Sequence, residues 1–212
     1  MSRNLIRRRE ILANCVVRGL LVAGAPLSAA NLFALWQNGE SRAAKATPAD
    51  VLGPFFMKGA PNVSQMRQPG DAGFSLKVSG RVVNTRGEKV PGARIDVWQT
   101  NHAGLYDVLG YRYRARLVVP ESSHYALDTV MPGHYNDRPA QHIHYLITAP
   151  GHKTLITQAY FATDPFFEGD PDRNYTKRDI VGHRELVRPV KLFEEGTTPR
   201  AEIVFDICLE KA

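Results

Sequence analysis

His142 and His144 stand two residues apart in His142-Ile143-His144, and that spacing is the first sign of chemistry in the chain. In an extended strand, residues i and i+2 project from the same face, so both imidazoles aim one way and can chelate a single metal ion. The surrounding sequence narrows the choice of ion. Zinc sites ordinarily add Cys, Asp or a further His at close spacing, and none follows here. A cupin-type site would need a Glu further along the same strand, and Tyr145–Pro150 supplies none. Two tyrosines are the other candidates. Tyr106 ends the stretch Asp96-Val97-Trp98-Gln99-Thr100-Asn101-His102-Ala103-Gly104-Leu105-Tyr106, and Tyr135 ends Met131-Pro132-Gly133-His134-Tyr135. Each comes just after a glycine-containing turn. For a single tyrosine at a strand end, packing against the core is the simpler role. His102, His124, His134, His152 and His183 fall outside any such pattern and read as surface or loop residues.

The elements that must hold these residues are strands. Phe74, Leu76, Val78 and Val82 alternate with Ser75, Lys77, Ser79 and Arg81, the period of a half-buried strand. A turn at Asn84–Gly87 and the breaker Val90-Pro91-Gly92 lead to a second strand carrying Ile95 and Val97, with Trp98 close by. Tyr125, Leu127, Thr129 and Met131 alternate again up to Pro132-Gly133, and His142–Ala149, Thr154–Phe161 and Ala201–Leu209 give three further strands. No segment after residue 46 keeps a helical period for three turns. Short strands separated by turn signals predict an all-β fold, an antiparallel β-sandwich that is loop-rich with little helix. Residues 47–73 form a loop-rich approach containing Gly53-Pro54-Phe55-Phe56. Residues 164–199, rich in charge, Pro and Gly, read as a long excursion with at most a short helical turn.

Taken in order and spacing, Gly53–Phe56, Gly80–Tyr106, Pro132–His144 and Leu155–Phe161 resemble the intradiol ring-cleaving dioxygenases, the family of the catechol 1,2- and protocatechuate 3,4-dioxygenases. The resemblance covers most of the chain beyond residue 46. It implies a non-haem iron(III) ion held by Tyr106 and His142 in equatorial positions and by Tyr135 and His144 in axial ones. It also implies cleavage of a catechol-type aromatic diol between its hydroxyls, with O2 as co-substrate and a muconate-type diacid as product. Hard anionic phenolates favour the ferric ion, and metal proximity drives the deprotonation of tyrosines whose free pKa is about 10. Tyr135 would leave the metal and take a proton as the diol binds. Gln158 matches the glutamine that lines the pocket of catechol-cleaving members. Arg138 resembles the arginine that stabilises the carbanion-like ring, but it stands one residue further from His142 than the family pattern places it, a displacement that a bulge would absorb. The short segment between Tyr135 and Arg138 implies an open pocket mouth. Family members commonly pair, so the resemblance admits a homo-oligomer, while the sequence leaves the oligomeric state open.

Charge and the N-terminus bear on partners and location. The chain carries +6, but residues 1–46 account for +5 and the remainder for +1, so no basic face points to a nucleic-acid partner. Arg8-Arg9-Glu10-Ile11-Leu12 fits a twin-arginine signal, followed by a weakly apolar stretch Leu20–Leu35 that Gly24, Pro26, Ser28 and Asn31 interrupt. A spanning helix is therefore not expected there. Ala44-Lys45-Ala46 is the preferred cleavage site, and Ser28-Ala29-Ala30 the second. This divides the chain into a signal, 1–46, and a catalytic domain, 47–212, exported to the periplasm or beyond. Cys15 and Cys208 leave no internal disulfide once the signal is removed. Two other classes stay open: a non-catalytic transthyretin-like or carbohydrate-binding sandwich, and a related sandwich using copper or zinc for hydrolysis. The first would not need Tyr106, Tyr135, His142 and His144 to converge, and phenolate ligation argues against the second.

Overall fold

The computed structural model describes residues 43–135, 138–195 and 198–212. The twin-arginine motif, the apolar stretch and Ser28-Ala29-Ala30 lie outside the described residues. Alternation produces the first strand, β1 (Ser75–Asn84), which buries Leu76, Val78 and Val82 and turns Lys77 and Arg81 outward. The strands β2 (Arg94–Trp98), β4 (His124–Val130), β5 (His142–Thr148) and β6 (Leu155–Phe161) follow as expected. A further strand, β3 (Arg114–Val118), is absent from the sequence-based expectations. Its apolar Ala115 and Leu117 alternate with arginines that look solvent-facing, yet Arg114 is buried.

The 164–199 excursion is more structured than its composition suggests. It contains 3₁₀ turns at Pro165–Phe167, Lys177–Asp179 and Arg184–Leu186, one four-residue helix, α1 (Pro171–Asn174), and the strands β7 (Val187–Arg188) and β8 (Lys191–Glu195). The expected last strand, 201–209, is two: β9 (Thr198–Val204) and β10 (Ile207–Leu209). Both run along the same edge of β1, and the break at Phe205-Asp206 has a local cause. The Phe205 carbonyl lies where a Cβ on Gly80 would sit, and it accepts a 2.6 Å hydrogen bond from the Tyr125 hydroxyl. Asp206 caps the Arg81 amide at 2.9 Å in place of a ladder bond.

Two five-stranded sheets result. In one, β1 is central, flanked by β4 on one side and by β9 and β10 on the other, with β8 beyond β9; the second has the order β3-β2-β5-β6-β7. The sheets are mixed rather than wholly antiparallel, because β1 pairs in parallel with β9 and β10, and β6 with β7. Their inner faces share one core containing Leu76, Val78, Ile95, Val97, Tyr145, Ile147 and Phe205. Strand β5 is buried on both faces: Ile143, Tyr145 and Ile147 face that core, while His142 and His144 project the other way and are buried nonetheless. The 47–73 approach helps to cover them. Thr47 exchanges hydrogen bonds with Cys208, the Pro48 carbonyl accepts from Thr157, and the Asp50 amide donates to the Ile156 carbonyl. Just upstream, in the preferred cleavage site, the Ala44 amide bonds to the Thr85 carbonyl and Lys45 pairs with Glu185. Among the described residues no helix is long and apolar enough to cross a membrane.

Candidate metal and substrate site

The register of the second sheet aligns the site. Trp98 pairs with His144, His144 with Gln158, and His142 with Tyr160 across three neighbouring strands, so all five side chains share the outer face. Trp98 stacks flat on the His144 ring, with centroids 4.8 Å apart and planes within 1°, and fixes its orientation. The Nε2 atoms of His142 and His144 are 3.2 Å apart, a separation that suits two nitrogens sharing one ion at about 2 Å each. Nδ1 of His142 lies 2.7 Å from the Ala140 carbonyl, which can only accept, so Nδ1 carries the proton and Nε2 the lone pair. Burial lowers the His142 pKa to about 4 and holds that of His144 well below the usual range, so both rings are neutral donors at pH 7.

The tyrosines arrive from loops. Asn101 organises the first turn by accepting the amides of Ala103 and Leu105 on its side-chain oxygen. This turn packs against the Pro132–Tyr135 turn backbone to backbone. The Gly133 amide donates to the Asn101 carbonyl at 2.8 Å, and the Thr100 hydroxyl donates to the Gly133 carbonyl at 2.9 Å. Gly104 has φ +79°, and a Cβ there would collide with the His134 carbonyl; one on Gly133 would collide with Gly104 and His102 backbone atoms. Glycine at both positions lets the two turns touch, which brings Tyr106 and Tyr135 side by side.

The four rings close a circle. Centroid separations are 5.6 Å for Tyr106–Tyr135, 5.7 Å for Tyr135–His142, 4.7 Å for His142–His144 and 6.3 Å for His144–Tyr106. Phe55 stacks on Tyr106 at 4.2 Å, and a Cβ on Gly53 would reach the His144 ring, so Gly53–Phe56 borders the site. Among the described residues no group of three or more His, Cys, Asp or Glu side chains could hold a metal. An ion at the histidine pair would therefore need another donor type, and phenols are in place. The Tyr106 hydroxyl is buried beside Tyr135, and burial, followed by the charge and hydrogen bond of that neighbour, raises its pKa far above the ordinary value. A cation bound among these rings would both ligate and ionise this buried phenol, which otherwise resists ionisation. The donor set fits a hard, high-valent metal ion.

Arg138 and Gln158 are also brought together. The Arg138 guanidinium donates to Gln158 Oε1 at 2.9 Å, and the Arg138 amide donates to the Tyr135 carbonyl at 3.0 Å. The one-residue displacement therefore does not carry the arginine away from the site. Gln158 is fully buried and donates to the Val51 carbonyl at 2.7 Å.

Other residues escaped the sequence reading. Arg114 donates to the carbonyls of Phe55 at 2.6 Å and Asp107 at 2.9 Å, and so clamps the approach and the Tyr106 turn together. Buried Asp164 accepts the Gln141 amide at 2.5 Å and pairs with His134 Nε2 at 2.9 Å, which ties the Tyr135 turn to the start of β5. His134 thus has a partner, although its sequence context suggested a free loop residue. Tyr160, two residues beyond Gln158, could have been found by strand period alone.

A family described as dioxygenase matches residues 51–211. The chain is 32% identical over 202 residues to a catechol 1,2-dioxygenase of a Pseudomonas strain, covering 79% of this chain and 65% of that protein. It is 34% identical over 151 residues to a hydroxyquinol 1,2-dioxygenase of Nocardioides simplex, covering 59% and 50% respectively. The chain thus spans between half and two thirds of the length of these curated relatives. The dioxygenase domain of a dioxygenase–carbohydrate-binding protein fusion from Streptomyces sp. SirexAA-E superposes with a TM-score of 0.65 at 28% identity, covering 79% of this chain and all of that domain.

Proposed function

The chain belongs to the intradiol ring-cleaving dioxygenase family, and on that premise we propose that it opens a catechol-type aromatic diol between its hydroxyls with O2, giving a muconate-type diacid. The observation that carries this reading is the closed circle of Tyr106, Tyr135, His142 and His144. These four side chains would hold a non-haem iron(III) ion. Bound there, iron would draw electron density from the chelated diol and make the ring reactive towards O2.

The protein's own work is placement, charge and proton handling. The neutral histidines offer lone pairs without needing to lose a proton. By the family resemblance Tyr135 would be the phenol that accepts a diol proton, and its turn is tied to Arg138 by the bond from the Arg138 amide to the Tyr135 carbonyl. Tyr106, stacked on Phe55 and hemmed in by the Arg114 clamp, stays fixed. Arg138 presents positive charge where negative charge accumulates on the ring, and low local dielectric strengthens that effect. Gln158 orients Arg138 and lines the pocket, and it favours a catechol or hydroxyquinol over a carboxylated diol.

The test is direct. Purified protein should hold one iron per chain, show a burgundy tyrosinate-to-iron(III) band, and consume O2 with members of a panel of catechol, hydroxyquinol, protocatechuate and bulkier lignin-type diols. A colourless protein with stoichiometric zinc, or products cut beside the hydroxyls, would overturn it. Export by the twin-arginine route is part of the same proposal, supported by Arg8-Arg9. Replacing both with lysine should retain the folded protein in the cytoplasm, and unchanged export would remove that part alone.

A further inference from the structure

The Arg138 guanidinium is held through one nitrogen. Its Nη2 donates to the Tyr160 hydroxyl at 2.5 Å and to Gln158 Oε1 at 2.9 Å, and approaches the Ile180 carbonyl at 3.4 Å. Its Nε is buried and makes no hydrogen bond to a described residue. Whatever fixes the partners of Nη2 therefore fixes the whole charged group.

Tyr160 is fully buried. Its oxygen accepts from Arg138, so its single proton must go to another neighbour. Three acceptors are within reach: Asp50 Oδ2 at 3.0 Å, Gln158 Oε1 at 3.0 Å and the Ile180 carbonyl at 3.3 Å. Asp50 is the only carboxylate among them, and a charge-assisted bond is the strongest on offer. The Gln158 oxygen already receives Arg138. Asp50 is itself fixed, because its amide donates to the Ile156 carbonyl at 2.9 Å. The result is a chain of guanidinium, phenol and carboxylate in which the N-terminal approach supplies the counter-charge.

We propose that Asp50 and Tyr160 are positioning residues: the Asp50 carboxylate orients the Tyr160 hydroxyl, which in turn holds the Arg138 guanidinium in the site. The inference rests on the proposed function, in which Arg138 provides the charge that stabilises the reacting ring. It assigns to the approach a role in turnover that mere coverage of the sheet would not require.

Four variants test it: Tyr160→Phe, Asp50→Asn, Arg138→Ala and the double variant Tyr160→Phe/Arg138→Ala. Tyr160→Phe keeps the ring that packs 5.8 Å from His142, so thermal melting and the visible band should match the parent. Its kcat for catechol should fall about 10-fold or more with KM changed less than about twofold, and Asp50→Asn should fall in the same direction by less. In the double variant the loss should equal that of Arg138→Ala alone, since two residues acting as one unit are not additive. A second readout is independent of turnover. In full-length protein loaded with diamagnetic gallium(III), the Arg138 guanidinium protons should exchange slowly with solvent, and quickly in Tyr160→Phe. Additive losses in the double variant, or slow exchange that persists without the Tyr160 hydroxyl, would overturn the inference while the parent enzyme stays active. A parent protein that binds no iron and consumes no O2 would instead sink the proposed function, and this inference with it.

Discussion

The imidazoles of His142 and His144 stand nearly perpendicular, at 83°, with their Nε2 atoms 3.2 Å apart. Neither ring is charged at neutral pH, and the Ala140 carbonyl holds His142 in its tautomer. Both lone-pair positions thus converge on one point, where a single ion would meet two neutral nitrogens.

Removing a donor should remove the metal. His142→Ala should lower iron content from one per chain to less than about a tenth and abolish the visible band, whereas Gln158→Ala should retain both and lose turnover. Metal analysis beside the absorption spectrum checks this. Full iron in His142→Ala would mean that the ion sits elsewhere.

Acid should destabilise the metal-free protein over a defined range. The folded-state pKa of His142 is about 4, against an ordinary value of 6.5, and burial is the main cause. Between those values the unfolded chain binds more protons than the folded one, so stability falls as pH drops from 6.5 towards 4. A depression of that size corresponds to roughly 3 kcal/mol from this group when the pH lies below both values. Bound metal occupies the lone pair and should defer the loss. Denaturant melts at several pH values, with and without iron, should diverge most near pH 5.

The two glycine turns should tolerate no side chain. Gly133→Ala forces a Cβ onto the backbone of Gly104 and His102 and should cost about 1–3 kcal/mol. Because the turns carry Tyr106 and Tyr135, it should also weaken or shift the tyrosinate band more than its stability cost implies. An unchanged spectrum would show that the turns do not set the tyrosine positions.

Asp164 should matter more than the His134 it pairs with. Asp164→Ala strands the Gln141 amide, and a buried unpaired donor costs about 1–3 kcal/mol. The melting temperature should fall by several degrees, about 2–4 °C per kcal/mol at this chain length. His134 is 44% exposed, so His134→Ala should cost less than about 1 kcal/mol. Thermal melts of the two variants rank them.

The sequence alone carried what period and turn chemistry carry. Alternation marked β1 and β4, turn and strand signals marked β2, β5 and β6, and the i, i+2 spacing put His142 and His144 on one face, because a strand's geometry is set residue by residue. The resemblance added Tyr106, Tyr135, Arg138 and Gln158. Tertiary structure decided the rest. Local spacing could not say that Arg114 would be buried to clamp two loops, that Gly80 would admit the Phe205 carbonyl and break the last strand in two, or that Asp50 would cross to Tyr160. Those contacts join residues far apart in the chain, and they form only when two sheets and the approach bring backbones together. Local propensity fixes which way a side chain points, but only packing fixes what it meets.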